Sequence, residues 1–419
     1  MNKFVISAFL AAASLQWASA QNVTTPYSMY GYGIIGDRAS SMQRQMGSVG
    51  VAMNSGRQIN VINPASYAAV DSLTFLFDIG ADLCFLNQKE DDERHNSVGG
   101  GLDYITMQFP IWKHIGASIG MLPYSSVGYA FGSKIEHGAM TNQGDGGINM
   151  AYLGLAGSYG GLSLGVNVSY NFGNIRNDIY SQPGNSGRSL FEHVMEVRDW
   201  DISLGAQYDF RFRRFHKLTL GLTWSPKKSL HGNSWCTVQE LSNDARPDTV
   251  GTLRLAGNYY QPMSLAGGLS YTYERQSRFM VEADVFFQQW SKAPYSAIYD
   301  ISDPKAVVFQ GMKFYDRVRV GAGAEYVHRL RGSYLQRITY RAGAYFCNDY
   351  LNILGNRVRD YGLTAGFGFP TPEGKTMINL GFEWKHRAAH PNTLISENYF
   401  NITLGVNFNE LWFWQRKIR

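Results

Sequence analysis

The chain reads as an all-β protein: a transmembrane antiparallel β-barrel of about fourteen strands with an N-terminal hatch, or plug, in its lumen. Three observations predict this. The chain opens with a secretory leader, its apolar residues recur on every second position from Leu73 onward, and its connections alternate between short and long.

The leader spans residues 1–20. It carries one cation, Lys3, an apolar core from Phe4 to Leu15, and Ala18-Ser19-Ala20 at the cleavage site, so the mature chain is expected to start at Gln21. The apolar core is too short to cross a bilayer, and no cysteine follows it to carry a lipid anchor. Beyond it no run of eighteen apolar residues exists. The chain is instead rich in glycine (45 residues) and aromatics (14%) and poor in charge (17%), as a barrel apolar on one face only should be. The net charge of +5 is spread along the chain, which gives no nucleic-acid signal. Cys84, Cys236 and Cys347 are odd in number and far apart, so at most one disulfide can form and no zinc site is expected.

The strands follow in order. Leu73, Phe75, Phe77 and Ile79 open the wall, and Leu162, Leu164, Val166, Val168, Tyr170 and Phe172 repeat its alternation with polar residues between them. Leu218 to Trp224, Phe279 to Phe287, Val318 to Tyr326, Ile378 to Trp384 and Phe400 to Phe408 do the same. Short connections at Lys113-His114, Gly160-Gly161, Arg211 to His216, Glu274 to Ser277, Arg329 to Ser333 and Thr371 to Lys375 are expected to face the periplasm. Long polar ones between them, from Asn87 to Gly99 up to Arg387 to Ser396, are expected to face outward, with Gly232 to Tyr260 the hardest to parse. Tyr124, Tyr129, Phe131, Tyr259, Tyr260, Trp290, Phe309, Phe314, Tyr315 and Trp412 to Trp414 fall near strand ends and are expected to form interfacial girdles. The barrel is thus drawn at 73–414, with a basic periplasmic tail at 415–419.

Residues 21–72 have no strand partner in that wall. Their small residues and Pro64, which forces Asn63 out of the helical region, suit a compact set of turns. Irregular backbone at membrane depth must lie inside protein or a wet cavity, and the lumen is the obvious place.

With the apolar parity outward, Glu282 and Asp284 point inward from one strand. Arg317, Arg319 and Glu325 point in from the next, Arg337 and Arg341 from the one after, and Glu383 and Lys385 from further round. Asp78, Asp82, Asp199, Asp201 and Asp209 line the opposite wall. Opposite charges on adjacent strands are within cross-strand reach, so a ladder of ion pairs, or a socket for the hatch, is expected. The reverse parity would put arginines against lipid at about 2–4 kcal/mol each.

The hatch residues carry a resemblance. Tyr27-Ser28-Met29-Tyr30-Gly31-Tyr32-Gly33, then Met46-Gly47-Ser48-Val49-Gly50-Val51-Ala52, then Ile59 to Ala68 (INVINPASYA), followed by the first strand, resemble the outer-membrane long-chain fatty-acid and hydrocarbon transporters of the FadL and TodX type. The C-terminal stretches Phe367 to Trp384 and Leu394 to Phe413 are similar to that family's last hairpins. The resemblance implies a hatch that includes Gly47, Gly50, Val51, Ala52, Asn63, Pro64 and Ala65, and passive uptake of hydrophobic molecules through a hatch-gated lumen in a Gram-negative outer membrane. It departs at Arg57 and Gln58, where that family often has acidic and small residues.

Catalytic chemistry is not in evidence. There is no phosphate loop, nucleophile motif or metal-ligand spacing, and the Glu90 to Glu93 cluster reads as a solvated loop. No enzyme activity, cofactor or metal is expected. Two functions stand: uptake of a fatty-acid-like ligand, with outer-membrane lipid around the barrel, or a non-transporting barrel that is a subunit or shuttle of an outer-membrane assembly or secretion complex. The first needs an apolar pocket beside the hatch, and the second a filled lumen and surfaces for protein partners.

Overall fold

The computed structural model describes residues 23–135, 138–183, 188–241, 248–372 and 376–411. The leader, the tips of three long loops, part of the Thr371 to Lys375 turn, Trp412 to Trp414 and the basic tail lie outside the described residues. After β1 (Ile34–Ile35) in the N-terminal segment, β2 (Thr74–Glu90), β3 (Glu93–Trp112), β4 (Ile115–Ile135), β5 (Gly138–Tyr159), β6 (Leu162–Pro183), β7 (Arg188–Arg213) and β8 (His216–Ser225) form a meander. Inserted next are β9 (Lys228–Leu230), β10 (Gly232–Leu241), β11 (Asp248–Ala256) and β12 (Tyr259–Gln261). The wall resumes with β13 (Ser264–Glu274) and β14 (Arg278–Gln288), is interrupted by β15 (Ile298–Asp300) and β16 (Val307–Phe309), and finishes with β17 (Arg317–Val327), β18 (Thr339–Ile353), β19 (Asn356–Pro370), β20 (Thr376–His390) and β21 (Ser396–Leu411).

Fourteen antiparallel strands close the barrel, because β21 pairs back onto β2 from Ser396↔Lys89 to Leu411↔Thr74. Closure removes the two edges that an open sheet would leave against lipid, where unpaired backbone is costly. The alternation does what it predicts. Leu153, Leu164, Leu220 and Leu363 lie exposed on the outer face, while Gln108, Asn167, Asp201 and Glu282 on the opposite parity are buried in the lumen. Leu73 itself precedes the wall, in a left-handed turn at φ 64°, so the first strand begins one residue later, at Thr74.

Two irregularities matter. The Gly232 to Tyr260 stretch is not a loose loop: β10 pairs with β11 and also with the outer half of β7, from Gly232↔Val197 to Leu241↔Arg188, while β7's inner half pairs with β8. Strand β7 therefore outruns the membrane and carries a second hairpin on its outer end. The other irregularity lies between β3 and β4, whose pairing stops at Ile105↔Met121. Beyond it β3 pairs with β2 and not with β4, and β4 pairs with β5 and, at Ser125 and Ser126, with β1, so the wall splits on its outer half. Val98 and Leu102 are exposed beside this seam, on the apolar outer face of β3.

Candidate functional site

Residues 41–67 run once around the inside of the wall. Ser41 sits on Gly405 of β21, Gln45 on Gly381 and Gly366 of β20 and β19, and Met46 on Gly343 and Gly323 of β18 and β17. Val51 follows on Gly268 and Gly221 of β13 and β8, Asn63 and Pro64 on Gly205 and Gly165 of β7 and β6, and Tyr67 on Gly154 and Gly116 of β5 and β4. At each of these glycines a Cβ would come within 3.0 Å of the segment, so eleven of the fourteen strands give up a side chain to let the segment approach. The fit runs the other way at Gly47, whose φ of +70° and whose approach to Ala344 O, at 2.9 Å from a built Cβ, exclude any larger residue.

Local chemistry sets the segment's turns. Asn63 caps the 3-10 turn Pro64–Ala69 by accepting from Ala65 N at 3.1 Å, and Pro64 fills the first position, where its missing N–H costs nothing. The Asn63 amide also donates to Val51 O at 2.7 Å, tying two turns of the segment together. Ser40 and Gln43 form a capping box around the short helix Ser41–Arg44. Gly47, Gly50, Val51, Ala52, Asn63, Pro64 and Ala65 are thus brought together along one inner belt.

The inward charges of the wall meet that belt. Asp284 accepts Gly50 N at 2.6 Å and Val51 N at 2.9 Å, and Glu282 accepts Ala52 N at 2.8 Å. Successive backbone N–H groups converging on carboxylates make an anion nest, here closed by the protein's own side chains. Arg319 donates to Gly47 O at 2.9 Å, and it and Arg317 lie 3.1 and 3.5 Å from Asp37 of the segment. Arg341 bonds Glu325 at 2.8 Å across the β17–β18 register and Gln45 at 2.9 Å.

Glu325 and Arg341 thus pair across adjacent strands, whereas Glu282 and Asp284 accept hydrogen bonds from segment backbone and make no ion pair among the described residues. Arg337 needs correcting: it lies in the 3-10 turn Tyr334–Arg337 at the rim, beside the Tyr334 ring, and off the wall. The turn from β17 to β18 is longer than the alternation suggested, and β18 starts only at Thr339.

Asp37 and Arg44 belong to the site although the sequence reading passed over them. They are among the few charges in an otherwise neutral segment, which was the available signal. Burial alone would raise the Asp37 carboxyl, but Arg319, Arg317 and Arg44 prevail and hold it at about 2. Arg44 pairs with Asp103 of β3 at 2.7 Å, at the seam.

At the outer end the aromatics expected in lipid girdles turn inward. Tyr124, Tyr259, Trp290 and Phe314 are buried, because the long loops fold over the barrel mouth and carry strand-end rings with them. Trp290 stacks on Tyr350 at 4.5 Å, and Tyr32 from the segment enters the cluster 5.5 Å from Trp290 and Tyr295. Tyr27 locks the same end: its hydroxyl donates to Ile395 O at 2.5 Å and accepts from Ala389 N and Ile395 N. On the split side, Ile34 and Ile35 pair with Ser126 and Ser125, and Thr25 N reaches Gly128 O at 2.7 Å, so the segment covers the bared edge of β4.

The room left is small or of mixed polarity. The cavity among the aromatics, at Tyr32, Ile148 and Trp290, holds about 10 Å³, and one beside Asp37 and Phe286 about 90 Å³. A cavity of about 620 Å³ reaches the seam, lined by Arg44, Arg317, Glu383 and Lys385 and equally by apolar groups such as Ile34, Ile35 and Leu102. Ligand pockets are typically about 300–1,000 Å³ and mostly apolar. The three cysteines are free and buried.

Solved structures of similar fold include the toluene transporter TodX of P. putida, 15% identical over 91% of this chain and 100% of its own, with a TM-score of 0.63. The Ralstonia pickettii toluene transporter TbuX is 14% identical over 88% and 98%, with a TM-score of 0.60. A Pseudomonas aeruginosa FadL homologue is 10% identical over 90% and 99%, also at 0.60. At these identities the likeness is one of fold. No curated protein matches the chain. One family model does, over residues 1–419, and its description is BamG.

Proposed function

The chain belongs to the BamG family, and from that premise we propose that it is a permanently plugged outer-membrane barrel serving as a subunit of an outer-membrane protein assembly or secretion complex. One observation carries this reading: the segment from Ser41 to Tyr67 lies against glycines on eleven of fourteen strands. A gate must leave its seat, and leaving this one would expose the Gly50, Val51 and Ala52 N–H groups and the Asp284 and Glu282 carboxylates together. Buried groups stripped of partners cost about 1–3 kcal/mol each, more when charged. A transient opening that breaks several at once is therefore rare. The barrel then contributes its outer wall, its long β7–β10–β11 extension and its two mouths as surfaces for other proteins. Nothing in this role calls for catalysis.

A second reading is favoured by a different observation. The seam between β3 and β4 opens the wall toward lipid at the 620 Å³ cavity, and the solved relatives include two toluene transporters. In that reading the barrel takes up hydrophobic, fatty-acid-like molecules and releases them sideways. Flux separates the two. Liposomes carrying the mature barrel should take up toluene and oleate no faster than empty liposomes; uptake that saturates and depends on the barrel would overturn the plugged reading.

A further inference from the structure

The short-turn end of the barrel opens into a basin of about 1670 Å³. Its floor is the segment's own loop Asn54 to Arg57 with Asp71, and its rim is built from the turns at Lys113, Gly160, Arg275 and Arg329 to Arg331. Eight lysines and arginines line it against three carboxylates. Each carboxylate has one cation 3.8 Å away in the basin, Asp71 with Arg57, Asp209 with Lys217 and Glu274 with Arg278, and Asp209 also accepts from Thr219 Oγ1 at 2.7 Å. Lys113, Arg211, Arg275, Arg329 and Arg331 make no ion pair among the described residues and are exposed. Within residues 23–72 three residues are exposed, Arg57, Asp71 and Ser72. The plug thus shows the basin an exposed Arg57–Asp71 pair, and the unpaired cations stand on the turns around it.

A surplus of like charge within one recess repels itself and is stabilised by an anion that fills it, and low-dielectric walls focus the field along the axis. Several features describe that anion. The cations stand on separate turns from floor to rim, which suits charges spaced along a chain more than one compact phosphate. They surround the barrel axis, with the floor recessed inside the wall, whereas lipid headgroups stand outside it. Arginine, which dominates here, takes carboxylates in a bidentate fork. We propose that the basin docks an acidic, extended segment of a periplasmic protein partner, with Arg57 of the plug as its innermost contact. This goes beyond the plugged-subunit reading and does not depend on it, since an uptake channel could be capped in the same way.

The test uses the mature barrel in phosphatidylcholine nanodiscs and a fluorescein-labelled oligoglutamate peptide, read by anisotropy at low and at physiological ionic strength. The expected result is saturable binding of one peptide per barrel, with affinity falling as salt rises. Arg57→Ser should weaken it about twofold to fivefold, and Arg331→Ser by a similar factor. Both sites are exposed, so the heat-modifiable mobility of the folded barrel should stay unchanged. Absence of saturable binding at low salt, or an affinity unchanged from the wild type in both variants, overturns the proposal. So does full displacement of the peptide by phosphatidylglycerol vesicles in a manner abolished by the same two substitutions, which would make the basin a headgroup site.

Discussion

The carboxylate of Asp284, on the barrel wall, accepts the backbone N–H of Gly50, in the N-terminal segment, at 2.6 Å. The contact joins residues far apart in sequence and sits where a gating segment would have to let go. Its neighbour Val51 N shares the same oxygen at 2.9 Å. Asp284→Ala strands both N–H groups in a buried site at about 1–3 kcal/mol each. The variant should lose about 2–5 kcal/mol in urea unfolding followed by tryptophan fluorescence, and its plug should become cleavable by added protease. Asp284→Asn, which keeps an acceptor oxygen, should lose less.

Proton binding at Asp37 gives a pH signature. Its carboxyl is lowered from 3.8 to about 2 through Arg319, Arg317 and Arg44 after burial has pushed the other way. A lowered acid contributes stability above its unfolded value and loses it as pH falls through its folded value. Plug protection against protease should therefore be level above about pH 4 and decline between about pH 4 and pH 2. Asp37→Asn should be less protected at neutral pH and should lack the decline that belongs to this group.

The glycine belt predicts a sharp positional contrast. A Cβ at Gly343 would lie 2.2 Å from Met46 C and 2.4 Å from Gly47 N, both backbone atoms, whereas one at Gly267 meets nothing within 4 Å. Gly343→Val should displace the plug at a cost of about 1–3 kcal/mol or more, read as raised conductance in planar bilayers or loss of folded barrel. Gly267→Val should leave the barrel closed and folded.

Tyr27 fixes the outer end. Its hydroxyl accepts from Ala389 N and Ile395 N, each at 3.2 Å. Tyr27→Phe leaves both N–H groups without that acceptor and should cost about 1–3 kcal/mol. Hydrogen exchange should quicken at residues 389–395 while the midwall of β13 and β14 stays protected.

Much of the barrel is legible in the sequence because a wall with lipid on one side and a polar lumen on the other must alternate with period two. That parity alone sends Glu282, Asp284 and Arg319 inward. It does not name their partners: Asp284 could have met an arginine one strand away, and only the plug's path decides that it meets Gly50. Strand-end aromatics such as Trp290 and Tyr124 are ambiguous for a related reason, since a ring at the mouth can turn to lipid or beneath a folded-over loop. The hairpin of β10 and β11 hides because it pairs with the extramembrane end of β7, where neither face touches lipid and no apolar stripe is required. The wall glycines are visible as letters, but their shared meaning, one groove for one segment, needs the closed barrel.

The central claim is that this barrel works as a closed partner and not as a conduit. Native mass spectrometry of the protein, extracted from its membrane in mild detergent, tests it in one spectrum, because bound small molecules and bound subunits appear together. The account predicts a stoichiometric complex with other proteins and a barrel mass free of hydrophobic ligand. A lone barrel carrying a fatty-acid-like molecule would contradict it.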